Sequence, residues 1–211
     1  PQGRWNEAQY LHPNDRARCC TEMSAPDYAL RTARLGLRAW RESDLEPFVA
    51  MNSDAEVMRY FPTPWSRAQT VAFFDRLCRH HEQHGFCYFA VDRLDASPAA
   101  APCWIGFVGL MHQDFAAPFT PCVDIGWRID RAVWGHGYAV EAARACLEHA
   151  FTGERLPAVH AVAPRVNQPS IRVMQKLGMR WIEDFDHSKL QEYPALRRCV
   201  HYRIVAEEVC V

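Results

Sequence analysis

The sequence predicts an α/β chain with a sheet of mixed strand direction, and two stretches carry that prediction. In the first, a β-branched run from Cys122 to Ile129 leads to Gly135 and Gly137; apolar residues at helical spacing (Val140, Ala143, Leu147, Ala150, Phe151) follow, then the β-rich run Ala158 to Ala163. Strand, glycine loop, helix and strand in that order make a βαβ unit, so part of the sheet must be parallel. In the second, the apolar runs Cys87 to Asp92 and Cys103 to Leu110 are separated by a short linker, residues 95–102, of small and polar residues, which suits adjacent antiparallel strands. With 211 residues, one domain of ordinary size accommodates both units.

Taken in order, residues 1–29 carry prolines, asparagines and charges without helical or strand periodicity, and read as a flexible extension. Arg34 to Trp40 alternates apolar with charged or small residues as a half-buried first strand does. Ser43-Asp44-Leu45-Glu46 has the form of a capping box, Asp54 is placed to cap a turn through Val57 and Met58, and Ser66-Arg67-Ala68-Gln69 opens a helix that runs to His84 and stops at Gly85. The aromatic loop Tyr60 to Trp65 between them reads either as a lid over the core or as a wall of a substrate pocket. Asn167 is placed to cap a last helix through Ile171, Met174 and Leu177, and Trp181-Ile182 and Cys199 to Val205 read as closing strands.

A formal charge of -1 leaves no broad basic footprint, which disfavours nucleic acid as a partner. The longest apolar runs fall short of a membrane span and no signal-type leader opens the sequence, so the expectation is a cytoplasmic protein without a membrane partner. Nine scattered cysteines without a CxxC pair fit reduced thiols. His80 and His84 stand one helical turn apart, but neither an HExxH Glu nor a third ligand accompanies them in sequence. They read as a solvated helix face, and no metal is expected.

The chemistry concentrates in the glycine loop. No acidic residue stands between His136 and Val140 to cap the first-turn amides of the following helix, and Gly135 and Gly137 lack the Cβ atoms that would hold a ligand off the backbone. Converging N–H groups at a helix N-terminus suit a phosphate or pyrophosphate. The third glycine of a dinucleotide fingerprint is replaced by Val140, and the Lys-Ser/Thr pair of a Walker loop is absent.

Trp134-Gly135-His136-Gly137-Tyr138-Ala139 resembles the pyrophosphate loop of the GNAT superfamily of N-acetyltransferases, in which Gln or Arg, two residues, Gly, one residue and then Gly or Ala follow one another. Gly137 and Ala139 match, while Trp134 departs from the Gln/Arg position. Asp124 to Ile129 resembles the family's fourth strand, and Asn167 to Met179, with Ser170 and the Lys176-Leu177-Gly178 ending, resembles its last helix. The element order matches over roughly Thr32 to Val205, and the RimJ/RimL-like branch is the nearest likeness.

The resemblance implies a GNAT-like domain over residues 30–211: a mixed, mostly antiparallel twisted sheet with a central parallel pair and helices on both faces. It further implies acetyl-CoA as cofactor. The amides of Trp127 and Ile129 would lie along the pantetheine arm, and Trp134, Gly135, His136, Gly137, Tyr138 and Ala139 around the pyrophosphate, with Asn167 and Lys176 also on the cofactor side. The acceptor is a primary amine, on a small molecule or a protein N-terminus, attacking directly in a ternary complex by a monomer or homodimer.

Asp124 is the candidate base, or else a strand carboxylate facing solvent or Arg128. The family's thiolate-protonating Tyr is replaced by Met174, so Ser170 is named as substitute acid, its alternative being a helix residue bonded to Asn167. That departure keeps a non-catalytic acyl-CoA-binding module as the alternative function. Asp184 to His187 and Pro194 to Arg198 are offered for the acceptor side, or as a polar hairpin.

Overall fold

The computed structural model describes residues 27–94 and 103–208. Much of the expected N-terminal extension and the 95–102 linker lie outside the described residues. Eight strands form one sheet: β1 (Leu30–Arg31), β2 (Leu35–Arg38), β3 (Tyr88–Arg93), β4 (Cys103–Gln113), β5 (Cys122–Ile129), β6 (Ala158–Pro164), β7 (Arg180–Asp186) and β8 (Arg198–Val205). Their spatial order is β1-β2-β3-β4-β5-β6-β8-β7, antiparallel throughout except for the parallel β5–β6 pair.

The helices are α1 (Leu45–Ser53), α2 (Arg67–His84), α3 (Tyr138–Thr152), α4 (Gln168–Lys176) and the single turn α5 (Pro194–Arg197). Ser66 and Gln69 form the expected capping box, and Gly85 ends α2 in the left-handed region at φ 76°. Asn167 caps α4 by accepting from the Ser170 amide at 3.2 Å. Asp54 accepts from the Glu56 amide at 2.8 Å, making the expected turn.

Ser43, by contrast, does not cap α1. Asp44, inside the presumed box, turns its carboxylate to the Arg38 guanidinium at 2.7 Å, and Arg38 reaches Asp92 on β3 at the same distance. A buried guanidinium with two carboxylates outcompetes a surface cap, because each buried charge must find its partners within the protein.

Side-chain alternation along β5 divides the sheet into two faces. Gly126 and Arg128 meet Tyr88 on β3 and Asn52 on α1 respectively, while Trp127 on the opposite face meets Ser170 on α4. α1 and α2 therefore cover one face and α3 and α4 the other. Phe48, Leu77, Phe89, Val108 and Val159 are among the side chains fully withdrawn from water. Cys146 lies in the same core, as expected, and the cysteines at 78, 87, 103, 122, 146 and 199 are free thiols. No helix of the described residues is long and apolar enough to cross a membrane.

Candidate active site

β5 and β6 touch at one register pair, Asp124 opposite His160. Beyond that vertex the two parallel strands share no further ladder pair, so the side of β5 toward β6 forms an unladdered gap in the sheet's hydrogen bonding. The Asp130 amide donates to the Ile105 carbonyl at 2.8 Å, on the β4 side. Alternation then aims the amides of Ile129 and Trp127 into the gap. This is the opening that a strand-like ligand arm would need.

The glycine loop closes one end of the gap. Gly135 and Gly137 both adopt left-handed backbone, at φ 83° and 80°, and Gly137 is the N-cap of α3 without any side-chain cap. A Cβ at Gly135 would meet nothing within 4 Å, and one at Gly137 only the Arg34 guanidinium at 3.8 Å. Among the described residues, the amides of Gly135, His136, Gly137 and Ala139 find no acceptor. Uncapped amides, the positive end of a helix dipole and two positions without Cβ atoms form an anion cradle.

Trp134 is a partial correction to this cradle. Its amide donates to Arg131 at 3.2 Å and its indole to the Ile129 carbonyl at 2.7 Å, so both N–H groups are spent inside the protein. With 47% of its surface exposed it has only its ring face to offer a ligand. The ring occupies the Ile129 carbonyl and leaves that residue's amide facing the gap.

A groove of about 560 Å³ runs from Gly137 along α3, lined by Arg31, Arg34, Arg144 and Lys176 together with Glu141 and Glu148. Arg34 pairs with Glu141, which also accepts from the Thr32 hydroxyl, and Arg34 lies over the Tyr138 ring at 4.7 Å. These contacts turn Glu141, the one acidic residue in the first turn of α3, away from the loop amides. Lys176 lines this groove; Arg31, Arg34 and Arg144 line it as well and no local motif marks them, since they come from β1, its following turn and α3.

Asp124 stands at the vertex. Its carboxylate accepts from the Tyr88 hydroxyl at 2.6 Å and from the Gln113 amide at 3.1 Å. Burial pushes the carboxyl up to about 6, opposed by those two hydrogen bonds. The alternative pairing with Arg128 does not occur. Arg128 is buried beneath Phe61 and Trp65, 4.3 and 4.6 Å from their ring centroids, and donates to Asn52 at 2.5 Å. The aromatic loop thus roofs a buried cation. Tyr88 and Gln113 were not singled out in the sequence; their convergence on Asp124 depends on strand register across β3, β4 and β5.

Ser170 lies on the other face. Its hydroxyl accepts from the Trp127 indole at 3.3 Å while its amide is held by Asn167. Asp124 and Ser170 are therefore brought to opposite faces of β5. Met174, at the position of the family's tyrosine, is only 1% exposed and belongs to the core.

On the Asp124 face the β4–β5 connection packs aromatic rings over β6 and β8. Phe119 stacks on His201 at 3.7 Å, His160 and His201 meet at 2.8 Å, and burial with the neighbouring His201 lowers His160 to about 4. Phe185 of β7 and His187 join this cluster against Phe115. Asp184 points elsewhere, to Arg165 and the Trp181 indole.

The profile of the acetyltransferase (GNAT) domain matches residues 34–180. The chain is 29% identical over 154 residues to the uncharacterized protein YkkB of Bacillus subtilis (strain 168), covering 72% of this chain and 85% of that one. It is 28% identical over 151 residues to the uncharacterized N-acetyltransferase YnaD of the same organism, covering 72% and 82%. Its fold is similar to that of a GNAT-family acetyltransferase from Bacillus anthracis, with a TM-score of 0.69, 25% identity and coverage of 85% and 99%. A spermidine N-acetyltransferase from Vibrio cholerae, solved in complex with CoA and spermine, superposes with a TM-score of 0.65 at 16% identity, covering 84% and 98%. On the span of the matching domain, the strand order and the splayed parallel pair, this chain belongs to the GNAT family of acetyltransferases, whose acetyl donor is acetyl-CoA.

Proposed function

We propose that the protein is an N-acetyltransferase that moves an acetyl group from acetyl-CoA to a primary amine by direct attack in a ternary complex. The observation that carries this reading is Asp124, a carboxylate held near a pKa of 6 at the vertex of a strand gap that opens onto an uncapped anion cradle. Acetyl-CoA supplies an acetyl thioester, an acyl group already activated toward nitrogen.

The amides of Gly135, His136, Gly137, Tyr138 and Ala139 would bind the diphosphate, and those of Trp127 and Ile129 would lie along the pantetheine arm, with the Trp134 ring beside it. Arg31, Arg34, Arg144 and Lys176 give the groove beyond the loop its cationic lining for the phosphorylated end of the cofactor. Asn167 acts by fixing the start of α4, and so the position of Ser170.

Asp124 takes the ammonium proton of the acceptor, directly or through water. A base with a pKa near 6 is mostly ionised at neutral pH while still basic enough to accept. Tyr88 and Gln113 hold the receiving carboxylate in place. Ser170 already accepts from the Trp127 indole, so its own O–H remains available to donate toward a leaving sulfur. Gathering donor and amine at one vertex supplies much of the rate by proximity. The acceptor class extends from small amines to protein N-termini, the latter following from the RimJ/RimL-like motifs, in a cytoplasmic setting.

The test is thiol release from acetyl-CoA over a panel of polyamines, aminoglycosides, amino acids and peptides, followed by the mass of the product. A product heavier by one acetyl group on nitrogen is expected. Tight CoA binding without turnover on any amine would replace this reading with that of an acyl-CoA-binding module, which the burial of Met174 in place of a tyrosine favours.

A further inference from the structure

His80 and His84 are not merely a solvated helix face. His80 is buried, with 8% of its surface exposed, and His112 arrives from β4 to join the pair. The candidate ligand nitrogens of all three lie within 4.8 Å of one another. The ring centroids of His84 stand 4.5 Å from His80 and 4.4 Å from His112. In sequence the third imidazole is separated from the helix pair by the whole β3–β4 hairpin, which is why no spacing motif marks it.

The hydrogen bonds fix the state of His80. Its Nδ1 faces the Phe86 carbonyl at 2.8 Å, and a carbonyl only accepts, so Nδ1 carries the proton. The His112 amide points at Nε2 from 3.1 Å, and an amide only donates, so Nε2 is unprotonated and its lone pair accepts. An imidazole oriented through Nδ1–H to a backbone carbonyl, with its other nitrogen directed into a cluster, is the arrangement of a metal ligand with its supporting partner. Nε2 of His80 lies 3.1 Å from Nδ1 of His112. Two nitrogens bound at about 2.0–2.1 Å to one tetrahedral ion are separated by about 3.3 Å. The exposed His84 side chain would close the third edge by rotation about its own bonds.

Burial lowers the pKa of both His80 and His112; the neighbouring imidazoles and Arg76, one turn earlier on α2, add to this at His80, where the Phe86 carbonyl opposes it. We propose that His80, His84 and His112 form a site for a divalent transition cation such as Zn²⁺, with the fourth coordination position open to solvent. The ion would replace the two hydrogen bonds now made to His80 Nε2 and would fasten the end of α2 to β4. The proposal is independent of acetyl transfer, since none of these residues lies in the gap, the loop or the groove.

The test titrates Zn²⁺ into the full chain against a chromogenic chelator, alongside His84→Ala, His112→Ala, their combination, and His149→Ala as a control outside the cluster. One ion per chain is expected, with affinity weakened more than about tenfold by either single change and lost in the double variant. His149→Ala should bind as the parent does, and Zn²⁺ should raise the melting temperature of the parent but not of the double variant. His84 is exposed, so its variant keeps the test informative even if a change at His112 perturbs β4. Absence of stoichiometric binding, equal affinity in the double variant, or thiolate absorption when Co²⁺ is used in place of Zn²⁺ would each overturn the assignment.

Discussion

The glycine loop offers a test in which strain and recognition separate. Gly137 and Gly85 adopt nearly the same left-handed backbone, at φ 80° and 76°, and neither is crowded: a Cβ finds nothing within 4 Å at Gly85 and only the Arg34 guanidinium, 3.8 Å away, at Gly137. Left-handed backbone costs an L-residue roughly 1–2 kcal/mol. Gly137→Ala and Gly85→Ala should therefore lose similar stability, about 2–8 °C in melting temperature for a chain of this size. Both remain folded, since a domain of this kind holds about 5–15 kcal/mol in reserve.

Affinity for CoA should divide the pair. At Gly137 a side chain projects where a diphosphate would approach the amides, and losing one hydrogen bond to a charged group costs roughly 1.5–3 kcal/mol. Calorimetry with CoA should show Gly137→Ala weakened by about 10- to 100-fold and Gly137→Val at least as much, with Gly85→Ala unchanged. Parent-like affinity in Gly137→Val would refute the loop assignment. An equal loss in Gly85→Ala would show that strain alone explains the effect.

Four further outcomes follow from the site and the core. Asp124→Asn should lower kcat by roughly 10²–10⁴-fold with CoA affinity intact, and a variant of full activity removes Asp124 from the mechanism. Burial raises Asp124 to about 6 in the fold from 3.8, so its ionisation destabilises the native state as pH rises through that interval; Asp124→Asn should melt above the parent at pH 7.5, and a lower melting temperature contradicts this sign. Tyr88→Phe removes a donor that holds the Asp124 carboxyl down, so the acid limb of the pH–rate profile should move to higher pH, and a shift the other way would place the limb on another group. Asp92→Ala strips one of two carboxylates from the buried Arg38 and should cost about 3–5 kcal/mol in urea unfolding; a loss below about 1 kcal/mol would show that Asp44 alone satisfies the guanidinium.

What the sequence determined by itself was local in origin. The Ser66–Gln69 box, Gly85, Asn167 and the paired glycines at 135 and 137 each specify a backbone event within a few residues of themselves, and the structure places each where its own chemistry requires. The βαβ order pointed to a parallel pair because α3 carries the chain back along the sheet, so that β6 starts from the same end as β5. Only the tertiary structure decided what meets across the sheet. Asp44 closed on Arg38 where a Ser43 cap was expected, Tyr88 and Gln113 closed on Asp124, Trp134 spent its indole on Ile129, and His112 completed a cluster begun on α2. Each of these contacts joins residues whose proximity is set by strand register or by helix docking on the sheet. Register depends on burying one face of every strand at once, so no single stretch of sequence contains it.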